Sequence, residues 1–180
     1  MIYNKKLENQ KVTLKNITSS DNLDRYLAWL SDESINQFLE LRFNLPSDVA
    51  ELRQFVNSIN DSNDSIFFGI FDTKTDTHVG NIKMGPINEY HGVADLGLLI
   101  GEKAFWGLGY GSEAIGLVCD YAFHTLGLAK LTAGCYAANT GSMKAFLKQG
   151  FVQEGSLSKQ WLCDGERQDG YLFGRTNPQL

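Results

Sequence analysis

Three glycines at every second position, Gly107, Gly109 and Gly111, stand directly before a segment with the apolar spacing of a helix, in the stretch AFWGLGYGSEA at 104–114. Each glycine costs backbone entropy, so the arrangement is favourable only where positive φ angles or a close approach to the backbone are needed. A glycine-rich turn at the start of a helix leaves several backbone N–H groups free, and the helix dipole adds positive potential there. The stretch therefore predicts an anion site, with phosphate as the natural ligand.

The apolar pattern on either side of this stretch predicts strands and helices in a single domain spanning 1–180. Helical spacing is found over 19–30, 48–59, 114–125 and 139–149, while residues 31–46 are ambiguous. Strand patterns cover 11–17, 65–71, 77–87, 92–100, 129–137, 156–163 and 167–174, and the short turns after several of them indicate antiparallel pairing. The expected fold is α/β (α+β), with a mixed, mostly antiparallel central sheet of about seven strands flanked by helices.

Charge and cysteine content narrow the classes of function. The 180 residues carry a formal net charge of −5, which argues against broad, non-specific nucleic-acid binding. Three widely spaced cysteines without a CxxC pair match neither a disulfide framework nor a zinc site, so no metal is expected. The start lacks the apolar stretch of a signal peptide and no long apolar run occurs, which predicts a cytoplasmic protein that does not bind a membrane.

Three phosphate-binding motifs can be compared with the glycine stretch. The nucleotide-triphosphate loop, Gly, four residues, then Gly-Lys-Ser/Thr, does not occur. The dinucleotide pattern G-x-G-x-x-G/A matches 109–114, but the following strand pattern AKLTAGCYA has no carboxylate to hold a ribose. The third motif, Q/R-x-x-G-x-G/A, binds the diphosphate of acyl-coenzyme A, and 106–111 fits it with Trp106 in place of the opening Gln or Arg.

Through this motif the chain resembles the GCN5-related N-acetyltransferases (GNAT), and more closely their RimJ/RimL-like branch, which commonly shows WGxGYGxEA. A second match, NTGSMKAFLKQGF at 139–151, is similar to the family pattern N-x-x-S-x-x-x-Y-x-K-x-G-F. The resemblance covers roughly 10–175. It implies an enzyme that moves the acetyl group of acetyl-CoA directly to a primary amine, on a sheet whose fourth and fifth strands, 92–100 and 129–137, splay apart.

The resemblance also implies which residues bind acetyl-CoA. The strand end expected to dock the pantetheine comprises Leu98, Leu99 and Ile100, with Gly101 leading into the loop, and Asn139 matches the coenzyme-contacting asparagine. The loop residues expected around the diphosphate are Trp106, Gly107, Leu108, Gly109, Tyr110, Gly111 and Ser112.

Two residues are candidates for proton transfer. Many relatives carry a tyrosine acid where this chain has Phe146, so Ser142, at the position proposed as the acid in RimL-like members, is expected to hydrogen-bond the leaving thiolate or relay a proton through water. Asp95 stands early in its strand, where many relatives place a glutamate, and is the leading candidate base. Glu89 and His91 are alternative bases, and a chain of water molecules is a further route for the proton.

The acceptor is constrained least by the sequence. In this family the segment between the first and third strands selects the acceptor, here including 29–43, and the turn NEYH at 88–91 is a further candidate. Asn36, Phe38 and Arg42 of the segment and Tyr90 of the turn are expected to line the pocket. The resemblance favours a small amine such as an amino-sugar nucleotide, and the alternative is a peptide N-terminus, as for ribosomal-protein acetylases. A hypothesis of another class is a non-catalytic acyl-CoA-binding sensor, since Phe146 has no proton to give. A homodimer is left open.

Overall fold

A mixed, mostly antiparallel sheet of eight strands forms the centre of the protein, in a computed structural model that describes residues 6–163 and 165–180. The strands are β1 (Leu7–Glu8), β2 (Val12–Asn16), β3 (Ile66–Asp72), β4 (His78–Asn88), β5 (Val93–Ile100), β6 (Lys130–Tyr136), β7 (Val152–Cys163) and β8 (Glu166–Thr176). Their order in the sheet is β1-β2-β3-β4-β5-β6-β8-β7, and only β5 and β6 pair in parallel among the described strands. The first five residues of the predicted domain, and Asp164, lie outside the described residues.

This sheet confirms the predicted architecture, with one strand more than the seven expected. The additional strand is β1, which pairs Leu7 with Leu14 and Glu8 with Thr13. Two residues are too few to show an alternating pattern, so the pairing alone reveals the strand. The strand expected at 156–163 begins earlier, at Val152. Its first residues are exposed on both faces and show no apolar alternation, so the sequence pattern did not reveal them.

Five α-helices connect the strands within the described residues. They are α1 (Asp24–Ser31), α2 (Glu33–Asn36), α3 (Val49–Asp61), α4 (Tyr110–Asp120) and α5 (Thr140–Lys148). Asp48 caps α3 and Asn139 caps α5, each by accepting a backbone N–H from the first turn. The ambiguous region 31–46 holds the four-residue α2 and a 3-10 turn at Glu40–Asn44 that buries no residue, so neither shows a helical apolar period. None of these helices is long and apolar enough to cross a bilayer.

Helices cover both faces of the sheet, each over its own apolar core. On one face α4 and α5 pack over sheet residues such as Leu96 and Leu131. On the other face α1 and α3 contribute Trp29 and Val56, which pack against Phe67 of β3. Because successive side chains of a strand point to opposite faces, β3 serves both cores, with Phe68 in the first and Phe67 in the second.

The parallel strands β5 and β6 separate midway along their length. Pairing joins Val93–Asp95 to Lys130–Thr132 and does not continue beyond that third rung in the described strands. Farther along, β5 stays paired to β4 as far as Ile100, and β6 stays paired to β8 as far as Tyr136. A V-shaped gap therefore opens at the carboxyl ends of both strands, which confirms the predicted splay.

Candidate active site

The glycine loop, residues 105–112, runs from the gap between β5 and β6 to the start of α4. Gly107 and Gly109 adopt positive φ angles of 73° and 88°, a backbone region that glycine reaches without strain. Within the described residues, no acceptor takes a hydrogen bond from the backbone N–H groups of 109–112. Free donors at the positive end of an eleven-residue helix form a geometry that suits an anion.

The side chain of Tyr110 anchors the start of α4 in the core. Its hydroxyl donates a 2.5 Å hydrogen bond to the carboxylate of Asp72, and its ring meets Phe105 edge-on with centroids 4.9 Å apart. The hydroxyls of Tyr110 and Thr75 lower the pKa of Asp72 to about 2, and the hydrogen bond to Asp72 raises the pKa of Tyr110 to about 12. The hydroxyl is thus committed to the fold, and Tyr110 offers its backbone N–H to a ligand.

Side chains that precede β2 fasten the glycine loop from behind. The Nζ of Lys11 donates to the carbonyl oxygen of Leu108 over 2.8 Å, and the Nδ2 of Asn9 donates to the carboxylate of Glu113 over 3.0 Å. The N–H of Leu108 is directed to the carbonyl of Phe105, and its side chain is 55% exposed outside the cleft. Leu108 therefore shapes the loop. It was predicted to contact the coenzyme, but it does not line the cleft.

Trp106 and Gly101 define the turn between β5 and the glycine loop. The indole Nε1 of Trp106 donates to the carbonyl oxygen of Ile100 over 2.7 Å, so the residue that replaces the motif's Gln or Arg closes this turn. The N–H of Gly101 donates to Val79, and a Cβ on Gly101 would lie 1.9 Å from the ring of Trp29. Gly101 does not line the cleft, so the predicted coenzyme contact is corrected to a packing role beneath Trp29.

The edge of β5 that faces the gap carries backbone donors. The N–H of Gly101 points to β4, and N–H directions alternate along a strand, so those of Leu98 and Ile100 point into the gap. The N–H of Leu99 points to β4 by the same alternation, although other atoms of Leu99 line the cleft. The sequence predicted that this strand end docks the pantetheine, but which of its N–H groups face the gap depends on which strand is the neighbour.

The first turn of α5 forms the opposite wall of the gap. The Oδ1 of Asn139 accepts the N–H of Ser142 over 3.1 Å, which leaves the amide Nδ2 of Asn139 available. Ser142 lines the cleft half-buried, and in the described part of the chain its hydroxyl makes no hydrogen bond. Phe146 is 1% exposed and packs against Phe151 and Phe173 in the core. The Ser142 hydroxyl is therefore free to contact a ligand.

Two lysines of α5 that the sequence analysis did not single out line the same wall. Lys144 and Lys148 are four residues apart, which places them on one side of the helix. Once 139–149 is interpreted as a helix, this four-residue spacing predicts that the two lysines share one side. They bring positive charge to the cleft beside the free N–H groups of the glycine loop.

These walls enclose a cleft of about 570 Å³, a size that suits a cofactor-sized ligand. It lies between the glycine loop, the end of β5, the start of α5 and the residues that follow α2. The predicted site residues that line it are Phe38, Leu99, Ile100, Trp106, Gly107, Gly109, Tyr110, Gly111, Ser112, Asn139 and Ser142.

Asp95 lies at the apex of the gap and does not line the cleft. It forms the last rung of the parallel ladder with Thr132, whose hydroxyl donates to the Asp95 carboxylate over 2.7 Å. Asp95 is exposed on one face of β5, where partial desolvation raises its pKa and the Thr132 hydrogen bond opposes this effect only in part. The alternative bases Glu89 and His91 lie exposed in the turn between β4 and β5, outside the cleft.

Phe38 and Arg42, both predicted to bind the acceptor, lie at one end of the cleft. Phe38 lines the cleft, and its ring centroid is 5.7 Å from that of Tyr136 at the end of β6. Arg42 lies beside the cleft, where its Nη2 donates to the hydroxyl of Tyr136 over 3.0 Å. Tyr136 was not predicted, because nothing in the sequence shows that it meets residues almost a hundred positions earlier.

Asn36 and Tyr90, the other two predicted acceptor residues, are not brought to the cleft. Asn36 is buried, and its Nδ2 donates to the carbonyl oxygen of Leu30 over 2.6 Å. Tyr90 is 92% exposed in the turn between β4 and β5. Both predictions are corrected: Asn36 stabilises the junction of α1 and α2, because a buried amide needs a hydrogen-bond partner, and Tyr90 lies at a separate surface.

The sequence as a whole is similar to acetyltransferases. Residues 11–152 match the model of the family described as "Acetyltransferase (GNAT) domain". The chain is 28% identical over 168 residues to the uncharacterized N-acetyltransferase p20 of Bacillus licheniformis, with 93% of each chain covered. It is 36% identical over 112 residues to the probable N-acetyltransferase YjcK of Bacillus subtilis (strain 168), which covers 62% of this chain and 61% of that protein.

Solved structures show the same fold. The spermidine N-acetyltransferase from Vibrio cholerae, in complex with CoA and spermine, superposes with a TM-score of 0.80 at 22% identity, over 94% of this chain and 97% of that chain. A candidate ribosomal-protein-serine acetyltransferase from Vibrio cholerae superposes with a TM-score of 0.75 at 23% identity, over 98% of this chain and 99% of that chain. At these identities the likeness is one of fold.

Proposed function

This chain belongs to the acetyltransferase (GNAT) family, and we propose that it acetylates the primary amine of a small molecule such as an amino-sugar nucleotide, within the RimJ/RimL-like branch. It is an acetyl-CoA-dependent N-acetyltransferase, so the proposal concerns its acceptor and the residues that perform the transfer. The observation that supports this function is the row of free N–H groups at 109–112, beside a cleft lined by two lysines, because this arrangement suits the phosphates of acetyl-CoA.

The residues of the cleft fit acetyl-CoA. The free N–H groups of 109–112 would hold the diphosphate at the start of α4, and the two lysines of α5 would add positive charge. No atom lies within 4 Å of a Cβ built on Gly107, so the loop leaves room for a phosphate. The N–H groups of Leu98 and Ile100 would orient the pantetheine arm and the acyl oxygen in the gap.

Two side chains would take part in the proton transfers, and a third would hold one of them in place. Acetyl-CoA supplies a thioester that an amine can attack. Asp95 would take the proton that an ammonium group must lose before attack, and its raised pKa favours this because a more basic carboxylate is the better acceptor. The hydroxyl of Ser142 would donate a hydrogen bond to the departing sulfur, and Asn139 holds Ser142 in place by capping α5.

The charge of the cleft supports an acceptor other than a polyamine. Lys144 and Lys148 line the cleft, and no carboxylate lines it among the described residues. A polycation such as spermidine, named for one structure of the same fold, would require acidic side chains to offset its charge. An amino-sugar nucleotide carries no such excess of positive charge, so a cleft without carboxylates does not disfavour it.

The alternative acceptor is a protein N-terminus, suggested by the name of the second Vibrio structure. The formal net charge of −5 disfavours docking on a ribosome, because RNA phosphates would repel an acidic surface. A cytoplasmic location is supported by the cysteines, since Cys119, Cys135 and Cys163 are all buried and none forms a disulfide. A homodimer stays a prediction.

Calorimetric titration tests the anion site. Acetyl-CoA is expected to bind at least tenfold more tightly than acetyl-phosphopantetheine, which lacks the second phosphate and the nucleotide, since each charge-assisted hydrogen bond contributes on the order of 1.5–3 kcal/mol. Dephospho-acetyl-CoA keeps the diphosphate and is the matched control, so it is expected to bind nearly as tightly as acetyl-CoA. Equal affinity for all three ligands would overturn the assignment of residues 109–112.

Thiol release across a panel of amines tests the acceptor. An amino-sugar nucleotide, a peptide with a free N-terminus, spermidine and a reaction without amine are compared at saturating acetyl-CoA. The proposal expects the highest kcat/KM with the amino-sugar nucleotide. A higher value with the peptide would establish the alternative acceptor, and tight acetyl-CoA binding without release of CoA to any amine would favour a non-catalytic sensor.

A further inference from the structure

The wall segment, residues 37–45, borders the acceptor end of the cleft and has no fully buried residue, although Leu39 and Leu41 pack partly buried against the core beneath α1 and α3. The 3-10 turn at Glu40–Asn44 buries no residue, and Phe43 is 61% exposed. Because these apolar contacts are only partly buried, the segment also depends on polar contacts for its position. Phe38 of this segment lines the cleft, so the position of the segment affects the shape of the site.

The guanidinium of Arg42 ties the wall segment to two other elements. Its Nη1 donates to the carbonyl oxygen of Leu39 over 3.0 Å, within the segment itself. Its Nη2 donates to the hydroxyl of Tyr136 in β6 and to the carbonyl oxygen of Leu162 in β7. The planar fork of arginine can meet several acceptors in fixed directions, which the single ammonium of lysine cannot reproduce.

Tyr136 connects Arg42 to Phe38, the residue of the wall segment that lines the cleft. Its hydroxyl accepts from Arg42 and donates to the carboxylate of Glu40 over 2.7 Å, so two residues of the wall segment hold one buried hydroxyl. Its ring packs against Phe38 at 5.7 Å and against Trp161 at 4.9 Å between centroids. The hydrogen bonds of the Tyr136 hydroxyl thus help to fix the positions of three packed aromatic rings.

Arg42 does not itself line the cleft, and three acceptors of the protein already occupy its guanidinium. We propose that Arg42 is a positioning residue, which sets the affinity for the acceptor by latching the wall segment to Tyr136 and β7. This inference rests on the proposed function, because it takes this end of the cleft as the acceptor site. It replaces the direct substrate contact predicted for Arg42.

Steady-state kinetics of Arg42→Lys test the latch. The KM for the acceptor is expected to rise about fivefold or more, because an unlatched wall must be ordered on binding, while kcat and the KM for acetyl-CoA stay within about twofold. Tyr136→Phe keeps the ring and removes the hydroxyl, so it is expected to shift the same KM in the same direction. Arg167→Lys is the control, since Arg167 is exposed and bonds one carbonyl.

A pair of acceptors separates a latch from a direct contact. The rise in KM is expected to be equal for an amino-sugar nucleotide and for the free amino sugar, which lacks the phosphates. A rise confined to the nucleotide would show that Arg42 binds the phosphates directly and would overturn the proposal. An unchanged acceptor KM in both Arg42→Lys and Tyr136→Phe would also overturn it.

Amide hydrogen exchange of the wall segment provides a readout that needs no acceptor. Exchange in residues 37–45 is expected to be faster in Arg42→Lys than in the wild type, with the glycine loop unchanged. Unchanged exchange in the wall segment would overturn the latch. Faster exchange in a protein that acetylates no amine would support the latch and reject the proposed function instead.

Discussion

The hydroxyl of Tyr110, the first residue of α4, donates to the carboxylate of Asp72, the last residue of β3, across 38 positions of sequence. Both residues are buried. The bond joins the helix that carries the free N–H groups to the end of β3. The place of the proposed anion site is thus held by a core contact as well as by the glycines of the loop.

Removing this hydrogen bond is expected to destabilise the protein. Tyr110→Phe should lower the free energy of unfolding by about 1.5–3 kcal/mol, the range for a hydrogen bond to a charged group. Urea denaturation at pH 7 measures the change. Tyr90→Phe removes a hydroxyl from a side chain that is 92% exposed and should change stability by less than about 0.5 kcal/mol. Equal losses in the two variants would contradict the prediction.

The same pair predicts how stability depends on pH. The pKa of Asp72 is lowered to about 2 in the folded state, so its carboxylate stabilises the fold above the unfolded pKa, and this contribution is lost as pH falls towards 2. The pKa of Tyr110 is raised to about 12, so its contribution is present below the unfolded pKa and is lost as pH rises towards 12. Asp72→Asn should flatten the acid side of the stability curve. An acid side as steep as that of the wild type would refute this role.

Ser142→Ala should lower kcat at least several-fold, because the departing sulfur would lose its hydrogen-bond donor. The KM for acetyl-CoA should change little, since the diphosphate contacts remain. Stopped-flow or steady-state thiol release gives both constants. Ser158→Ala, an exposed serine of β7, is the control variant. A kcat equal to that of the wild type would remove Ser142 from the mechanism.

Asp95→Asn should abolish the acidic limb of the pH profile of kcat/KM. A base acts only when it is deprotonated, so the wild-type rate should rise with pH through the pKa of Asp95, which lies above its ordinary value because of desolvation. The carboxamide cannot accept the proton, and the remaining activity should be lower and flatter with pH. Overlapping profiles of the variant and the wild type would reject Asp95 as the base.

Two glycines of β5 and its extension should respond differently to an added methyl group. A Cβ on Gly101 would lie 1.9 Å from the Trp29 ring, so Gly101→Ala should cost about 1–3 kcal/mol of stability or more. No atom lies within 4 Å of a Cβ on Gly97, so Gly97→Ala should be tolerated within about 1 kcal/mol. Thermal unfolding compares them. A stable Gly101→Ala variant would show that the packing beneath Trp29 is dispensable.

Much of the fold could be predicted from local patterns. Apolar alternation and helical spacing located the longer strands and helices, because each depends on neighbours a few residues away. The two-residue β1 and the short helical turns between 31 and 46 carried no such pattern, and their existence became visible only through pairing and capping. The exposed start of β7 was missed for the same reason.

The candidate site was also predictable only in part. The motif residues from Trp106 to Ser112 are contiguous, so their shared place at the start of α4 was predictable, apart from Leu108. The scattered acceptor residues were not, and the structure placed Asn36 in the core and Tyr90 on a separate surface. A side chain's surroundings depend on contacts with distant segments, which no local pattern records.

The sequence by itself determined where an anion could be held, because the free donors of a glycine loop and a helix start arise within a few consecutive residues. Tertiary structure alone decided what surrounds the proposed anion site: which residues face the gap between β5 and β6, the hydrogen bond of Arg42 to Tyr136 across 94 positions, and the bond of Tyr110 to Asp72. The physical reason is strand register, since a shift of one residue would turn every side chain of a strand to the opposite face and bring different partners together.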